Sequence, residues 1–262
     1  MRLRNMKGLL QGAIASLILW GSFVHTSNAL IVQVDPATLS GTELIDFEDL
    51  GLTDFETRNY DGIFESGNAL FGERFVGQTL TTSGDFDILS GSPTGPLAIA
   101  TGVQNQNVSA IDGGAGDVGN TALAGNGPLE YPAYNAIGEG AIAVLYDFDQ
   151  GEFGFDLIGA DSGTAFVQFW ARDGSLIDEI VLNLGTAIIS SFGFRTDDLS
   201  DIVAGVSIYN NDPAGIGIDN LISNVPGVPG PPTTVPEPGT LMLLALGLLA
   251  LGFARRRVRS IR

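Results

Sequence analysis

Residues 164–184 read TAFVQFWARDGSLIDEIVLNL, and their alternation decides the fold. Ala165, Val167, Phe169 and Ala171 fall on one face of an extended chain, and Phe166, Gln168, Trp170 and Arg172 on the other. That is the period of two that a β-strand imposes. Asp173-Gly174 follows, a pair that tolerates left-handed backbone, and predicts a two-residue hairpin into a second strand over 176–184. Comparable runs predict strands over 43–48, 75–82, 141–148, 152–158, 190–195, 203–210 and 216–223. The chain holds 36 glycines in 262 residues, and long stretches with a 3.6-residue period are missing. Short strands between Gly, Asp and Asn turns predict an all-β fold, a β-sandwich (jelly roll), over residues 30–224. That length is enough for one sizeable core.

Between Gly102 and Gly140 the sequence is rich in Gly, Asn and Ala, and long loops with short strands inside are expected. Gly113-Gly114-Ala115-Gly116-Asp117 is a partial match to a calcium-binding β-roll repeat, with its Asp one place early and in a single copy; it reads as a loop. Asp147-Phe148-Asp149-Gln150-Gly151 has the start of an EF-hand loop without the later bidentate Glu, and reads as a charged β-turn. Asn107-Val108-Ser109 has the form of a glycosylation acceptor.

Charge narrows the chemistry. The chain has 12 Lys+Arg against 30 Asp+Glu, a formal net charge of −18. Eight of the basic residues lie at the two ends, so between Asp35 and Asp219 four arginines face 29 acidic residues, about −25. Cysteine is absent, the one lysine is Lys7 and the one histidine is His25. Cysteine nucleophiles, disulfides, Cys/His zinc sites, Ser-His-Asp triads and Ser-Lys dyads are therefore closed to the interior. So strong a negative field repels nucleic-acid phosphates and anionic lipid, and no nucleic-acid partner is expected.

Both ends read as addresses. Arg2, Arg4 and Lys7 precede an apolar run over 8–24, and Ser27-Asn28-Ala29 offers small residues for a signal peptidase, so residues 1–29 read as a signal peptide cleaved after Ala29. The prolines of VPGVPGPPTTVPEPG, residues 225–239, block helix and ladder alike, so residues 225–234 form an extended linker. Residues 239–254 are free of charge and are followed by Arg255, Arg256 and Arg257. As a single transmembrane helix at ~1.5 Å per residue they span roughly 24 Å, with arginine snorkelling covering the shortfall against a ~30 Å core. The positive-inside rule keeps those arginines cytoplasmic and the acidic domain outside.

Val235-Pro236-Glu237-Pro238, a short apolar helix and a terminal arginine cluster, residues 235–259 in all, resemble the PEP-CTERM sorting signal. The resemblance implies recognition by an exosortase in a bacterium that makes exopolysaccharide. It also implies a transient membrane anchor and a mature product on the cell surface or outside the cell. An ordinary tail anchor is the competing reading. The interior resembles the jelly-roll domains of PEP-CTERM proteins and, more distantly, MAM-like and carbohydrate-binding sandwiches. The residues that carry this are Ile45-Asp46-Phe47-Glu48, Phe153-Gly154-Phe155-Asp156, the turn after Ala171, and Gly217-Ile218-Asp219-Asn220-Leu221. In such sandwiches the first and last strands lie side by side and a cation often ties them. The matching positions are Glu48 and Asp219, with Asp46, Asp49 or Asn220 completing an oxygen shell for Ca²⁺. Ordinary strand-end carboxylates are the alternative.

If Ala165, Val167 and Phe169 face the core, then Phe166 and Trp170 stand outside beside Gln168, and Tyr209 extends them. Rings for pyranose faces with polar groups for hydroxyls make a sugar platform. If a second layer covers that face, both rings are core instead. Among 29 acidic residues a chance pair at glycosidase spacing is certain, so carboxylates alone do not argue for an enzyme. The expectation is a non-catalytic surface protein associated with extracellular polysaccharide or biofilm. Its rivals are a lectin-like module with a defined glycan site and a secreted glycoside-active enzyme.

Overall fold

A computed structural model describes residues 30–113, 121–159 and 161–224. The signal peptide and Ala29, the linker, Val235 to Pro238, the predicted membrane helix and the arginine cluster lie outside the described residues, as does most of Gly113–Asp117. Among the described residues there is no α-helix, only short 3-10 turns, and no helix is long and apolar enough to cross a membrane.

Two antiparallel sheets face one another. The larger runs in the order Ile31–Val34, Ile189–Thr196, Glu152–Ile158, Gly217–Ser223, Thr121–Asn126, Val108–Asp112, Thr57–Tyr60; Glu43–Ile45 pairs with Gly217–Ser223, and Ile137–Gly140 with Thr121–Asn126. The smaller runs Leu176–Leu184, Gly163–Trp170, Val203–Asn210, Ile142–Gln150, Ala69–Gly72, Phe64–Ser66. Between them the inward residues form one core. Phe153 and Phe194 from the larger sheet meet Phe169 and Tyr146 from the smaller, with ring centroids 5.2–6.0 Å apart among the contacting pairs. Each such ring contributes ~1.5–3 kcal/mol on burial, so the aromatic centre fastens the sheets face to face.

The predicted alternation holds where it was clearest: Ala165, Val167 and Phe169 join this core. Three local predictions are corrected. The hairpin after Trp170 is not a two-residue turn: Ala171 N–H donates to the Ser175 carbonyl and Gly174 N–H to the Ala171 carbonyl, both at 2.9 Å. Gly174 takes φ +85°, so the loop is a tight turn closed by a left-handed glycine. Residues 75–82 are not one strand, because the chain breaks between Arg74–Phe75 and Thr79–Ser83. The Asp147–Gly151 segment is no free turn: residues 147–150 end the strand Ile142–Gln150, and Asp149 Oδ1 accepts from Arg172 Nε and Nη2 at 2.9 and 2.7 Å.

Within residues 102–140 the short strands are Val108–Asp112, Thr121–Asn126 and Ile137–Gly140, and all three belong to the larger sheet. A Cβ on Gly125 or Gly140 would stand 2.5 Å from the other strand's backbone, so the small residues mark close strand approach. Asn107, half of the apparent glycosylation acceptor, is fully buried. Its amide donates to the Tyr60 and Gly62 carbonyls at 2.7 and 2.8 Å and accepts from the Glu73 and Gly102 N–H groups.

Outside the smaller sheet lies a third, partial layer. Arg74–Phe75 pairs with Ile99–Ala100, and Thr79–Ser83 with Phe86–Ser90. This layer lays Phe75, Leu97 and Ile99 on Ala143, Leu145, Trp170 and Ala204, a second small core.

Candidate functional site

The outer face of the smaller sheet splits in two along the strand Gly163–Trp170. At one end Trp170 is 1 % exposed beneath the partial layer, and its indole Nε1–H donates to Ser207 Oγ at 2.9 Å. Gln168 is buried too: its Oε1 accepts from Gln78 Nε2 and Ser207 Oγ, both at 3.1 Å, and its Nε2 donates to Glu179 Oε2 at 2.8 Å. Gln78 in turn accepts the Phe75 N–H at 2.9 Å. Trp170 and Gln168 are thus corrected from surface to interior. The pattern rightly set them on the outer face, but a polar clamp and an apolar cap remove both from solvent.

At the other end the face stays open. Phe166 and Tyr209 are paired residues of adjacent strands and both are partly exposed. Their rings are parallel within 10°, with centroids 4.8 Å apart. That separation exceeds van der Waals stacking at roughly 3.5–4 Å, so the rings are offset and leave ring surface uncovered. Across the edge, Val181 pairs with Phe166 and is 49 % exposed. Val181, Phe166 and Tyr209 therefore form a row over three consecutive strands, flanked by the exposed Glu179 and Asn183. Burial, with the Glu179 charge adding to it, raises the Tyr209 hydroxyl above its ordinary pKa, so the phenol is neutral. Val181 and Glu179 are legible only once the hairpin register is known, because the outward alternation 179, 181, 183 gains meaning from pairing with Phe166.

On the other sheet the structure brings Glu48 and Asp219 together. Asp219 is 1 % exposed, sits opposite Asp156, and leaves Oδ1 without a hydrogen-bond partner. Glu48 Oε1 accepts the Thr121 N–H at 2.7 Å, and Asp46 Oδ1 accepts the Glu48 N–H at 3.2 Å. Asn220, at φ +48°, donates its Nδ2 to Asp156 Oδ2 at 2.9 Å. Burial, joined by the charges of Glu48, Asp156 and Asp46, pushes the Asp219 carboxyl up to about 7 against the Asn220 N–H. Among the described residues no three His, Cys, Asp or Glu side chains stand as a preassembled metal centre. The donors gathered here are all hard oxygen, and Asp219 contributes a buried carboxylate oxygen with no hydrogen-bond partner. Asp156, missed from sequence, enters only through strand register. Asp49 lies on the same 3-10 turn as Glu48.

A cavity of about 180 Å³ on the larger sheet is lined by Ile111, Ile137, Ile158 and Ile188 together with glycines and alanines. Its one titratable lining residue is Tyr134, 73 % exposed.

Residues 234–257 match the PEP-CTERM protein-sorting motif. The motif implies export, exosortase processing, and a cell-surface or extracellular fate. Two solved structures that match are point variants of CBM29-2, a family 29 carbohydrate-binding module. One is 15 % identical with a TM-score of 0.27, over 41 % of this chain and 71 % of that one. The other is 11 % identical with a TM-score of 0.28, over 69 % of this chain and 90 % of that one. No curated protein matches the sequence significantly.

Proposed function

We propose that this chain is an exported, non-catalytic glycan-binding protein. It would be released from or held at the cell surface after exosortase processing, and associated there with exopolysaccharide in a biofilm. The observation that carries the reading is the open row of Val181, Phe166 and Tyr209 beside the capped end of the smaller sheet. An offset aromatic pair with a methyl-bearing neighbour is suited to the C–H face of a pyranose, and Glu179 and Asn183 supply acceptor and donor groups for its hydroxyls. A Ca²⁺ held by Glu48 and Asp219 would tie the 3-10 turn after Glu43–Ile45 to the last strand and offset local repulsion. A non-catalytic role is favoured because the acids that burial raises, Asp87, Glu139 and Asp219, do not line the apolar cavity.

The test is co-sedimentation of the chain with extracellular polysaccharide from its own host. Phe166→Ala and Tyr209→Ala are expected to abolish pelleting while Trp170→Phe retains it. Pelleting unchanged in the two platform variants, or release of reducing ends from the polysaccharide, overturns the reading. Intact mass of the host-derived protein should show loss of residues 1–29 and of the tail near Pro238; an attached tail refutes exosortase processing.

A further inference from the structure

An anionic polysaccharide is held by free cationic side chains, above all by the arginine fork, which pairs with carboxylate or sulfate. Among the described residues there is no cationic side chain without an acidic partner. No lysine or histidine occurs in residues 30–224. The four arginines there are each tied to a carboxylate of the same chain: Arg58 to Glu56, Arg74 to Glu73, Arg172 to Asp149 and Arg195 to Glu152. Three of them are fastened a second time, to the backbone carbonyls of Leu50, Tyr146 and Thr38.

The charged side chain beside the aromatic row is an acid. Glu179, on the outward face of the edge strand, is near enough to raise the Tyr209 hydroxyl. At a Debye length of about 8 Å in physiological salt, a charge brought onto the rings feels this neighbour incompletely screened. The acceptor-only carboxylate of Glu179 takes hydroxyl protons, which a neutral sugar supplies; a uronate carboxylate or a sulfate brings only further negative charge.

Resting on the glycan-binding reading above, we infer that the Val181–Phe166–Tyr209 face selects neutral hexopyranose polymers and rejects uronic-acid or sulfated ones. The matrix partner of this acidic protein is then an uncharged polysaccharide held through ring stacking, with no calcium bridge between two polyanions.

Matched polymer pairs test this. The full chain is kept in a polyoxyethylene detergent, which carries no sugar, and run on native gels. The gels contain hydroxyethylcellulose or carboxymethylcellulose, and dextran or dextran sulfate, with chelator and again with Ca²⁺. Retardation by a neutral polymer at least tenfold stronger than by its charged partner at low salt, and narrowing at 0.5 M salt, is expected. Phe166→Ala and Val181→Asp should each remove it, and Glu179→Gln should reduce the discrimination several-fold. Val181 is an exposed edge residue, so its variant reports on the face independently of folding at Phe166. Equal or stronger retardation by a charged polymer, with or without Ca²⁺, that is still lost in Phe166→Ala overturns the selectivity while leaving the platform standing. Retardation by no polymer, or retardation indifferent to Phe166→Ala and Val181→Asp, overturns the platform and the selectivity together.

Discussion

Replacing Glu139 by Gln should make the protein more stable at pH 8 relative to wild type than it is at pH 5. Glu139 lies on the strand Ile137–Gly140, is 6 % exposed, and its Oε2 has no hydrogen-bond partner. Burial, aided by the Asp85 charge on the overlying hairpin, raises its carboxyl from the ordinary 4.5 to about 7. The sign follows from the raised value. Below about pH 4.5 the group is protonated in folded and unfolded chains alike, and its full contribution is present. As pH climbs from there towards 7, the unfolded chain ionises and the folded one resists, so stability is lost and stays lost above 7. At ~1.4 kcal/mol per pH unit, the gap amounts to about 3 kcal/mol. Asp87 and Asp219 carry raised carboxyls of the same sign, so wild type alone cannot isolate Glu139. The difference between wild type and Glu139→Gln can. Urea denaturation in chelator at half-unit steps from pH 5 to 8 should show the difference moving by roughly 2–3 kcal/mol in the variant's favour. A difference that stays flat over that range would refute the account of a buried carboxyl ionising against its surroundings.

Other outcomes follow from the packing. Gln78→Ala removes the residue that links Phe75 N–H, Gln168 and Ser207, leaving buried polar groups unpaired at ~1–3 kcal/mol each; hydrogen exchange should rise first in residues 73–100, and unchanged protection there refutes the clamp. Asn107→Ala strips partners from four backbone groups and should lower stability by about 3 kcal/mol or more in thermal denaturation, taking the upper end of the same range. Calcium at one hundred times its dissociation constant should stabilise wild type by about 2.7 kcal/mol and leave Asp219→Asn unmoved. An identical response of the two proteins, measured by calorimetry, removes Asp219 from any calcium site.

The order of elements along the chain was legible wherever apolar and polar residues alternate with period two. Glu152–Ile158, Leu176–Leu184 and Val203–Asn210 stand where the sequence places them: Leu176–Leu184 keeps one face exposed, whereas the other two are buried almost throughout and are marked by their β-branched and aromatic residues. Within residues 108–140 short strands were expected, but their positions were not legible. Thr121–Asn126 is buried along its whole length, so it shows no alternation, and its alanines and glycine mimic loop composition. The short strands Ala69–Gly72 and Phe64–Ser66 likewise gain their identity only from pairing at the sheet's edge.

The sorting signal and the net charge are properties of local order and of composition, so the sequence by itself determined them, along with the β-rich class. Which residues of a strand share a face was also settled there, since that depends only on parity. Whether an outward face meets water depends on a segment some ninety residues earlier in the chain, which folds over Trp170 and stops short of Phe166. The gathering of Glu48, Asp156 and Asp219 depends on strand register, a long-range property to which no local pattern is sensitive. Only the tertiary structure could therefore move the aromatic platform from Trp170 to the row of Val181, Phe166 and Tyr209.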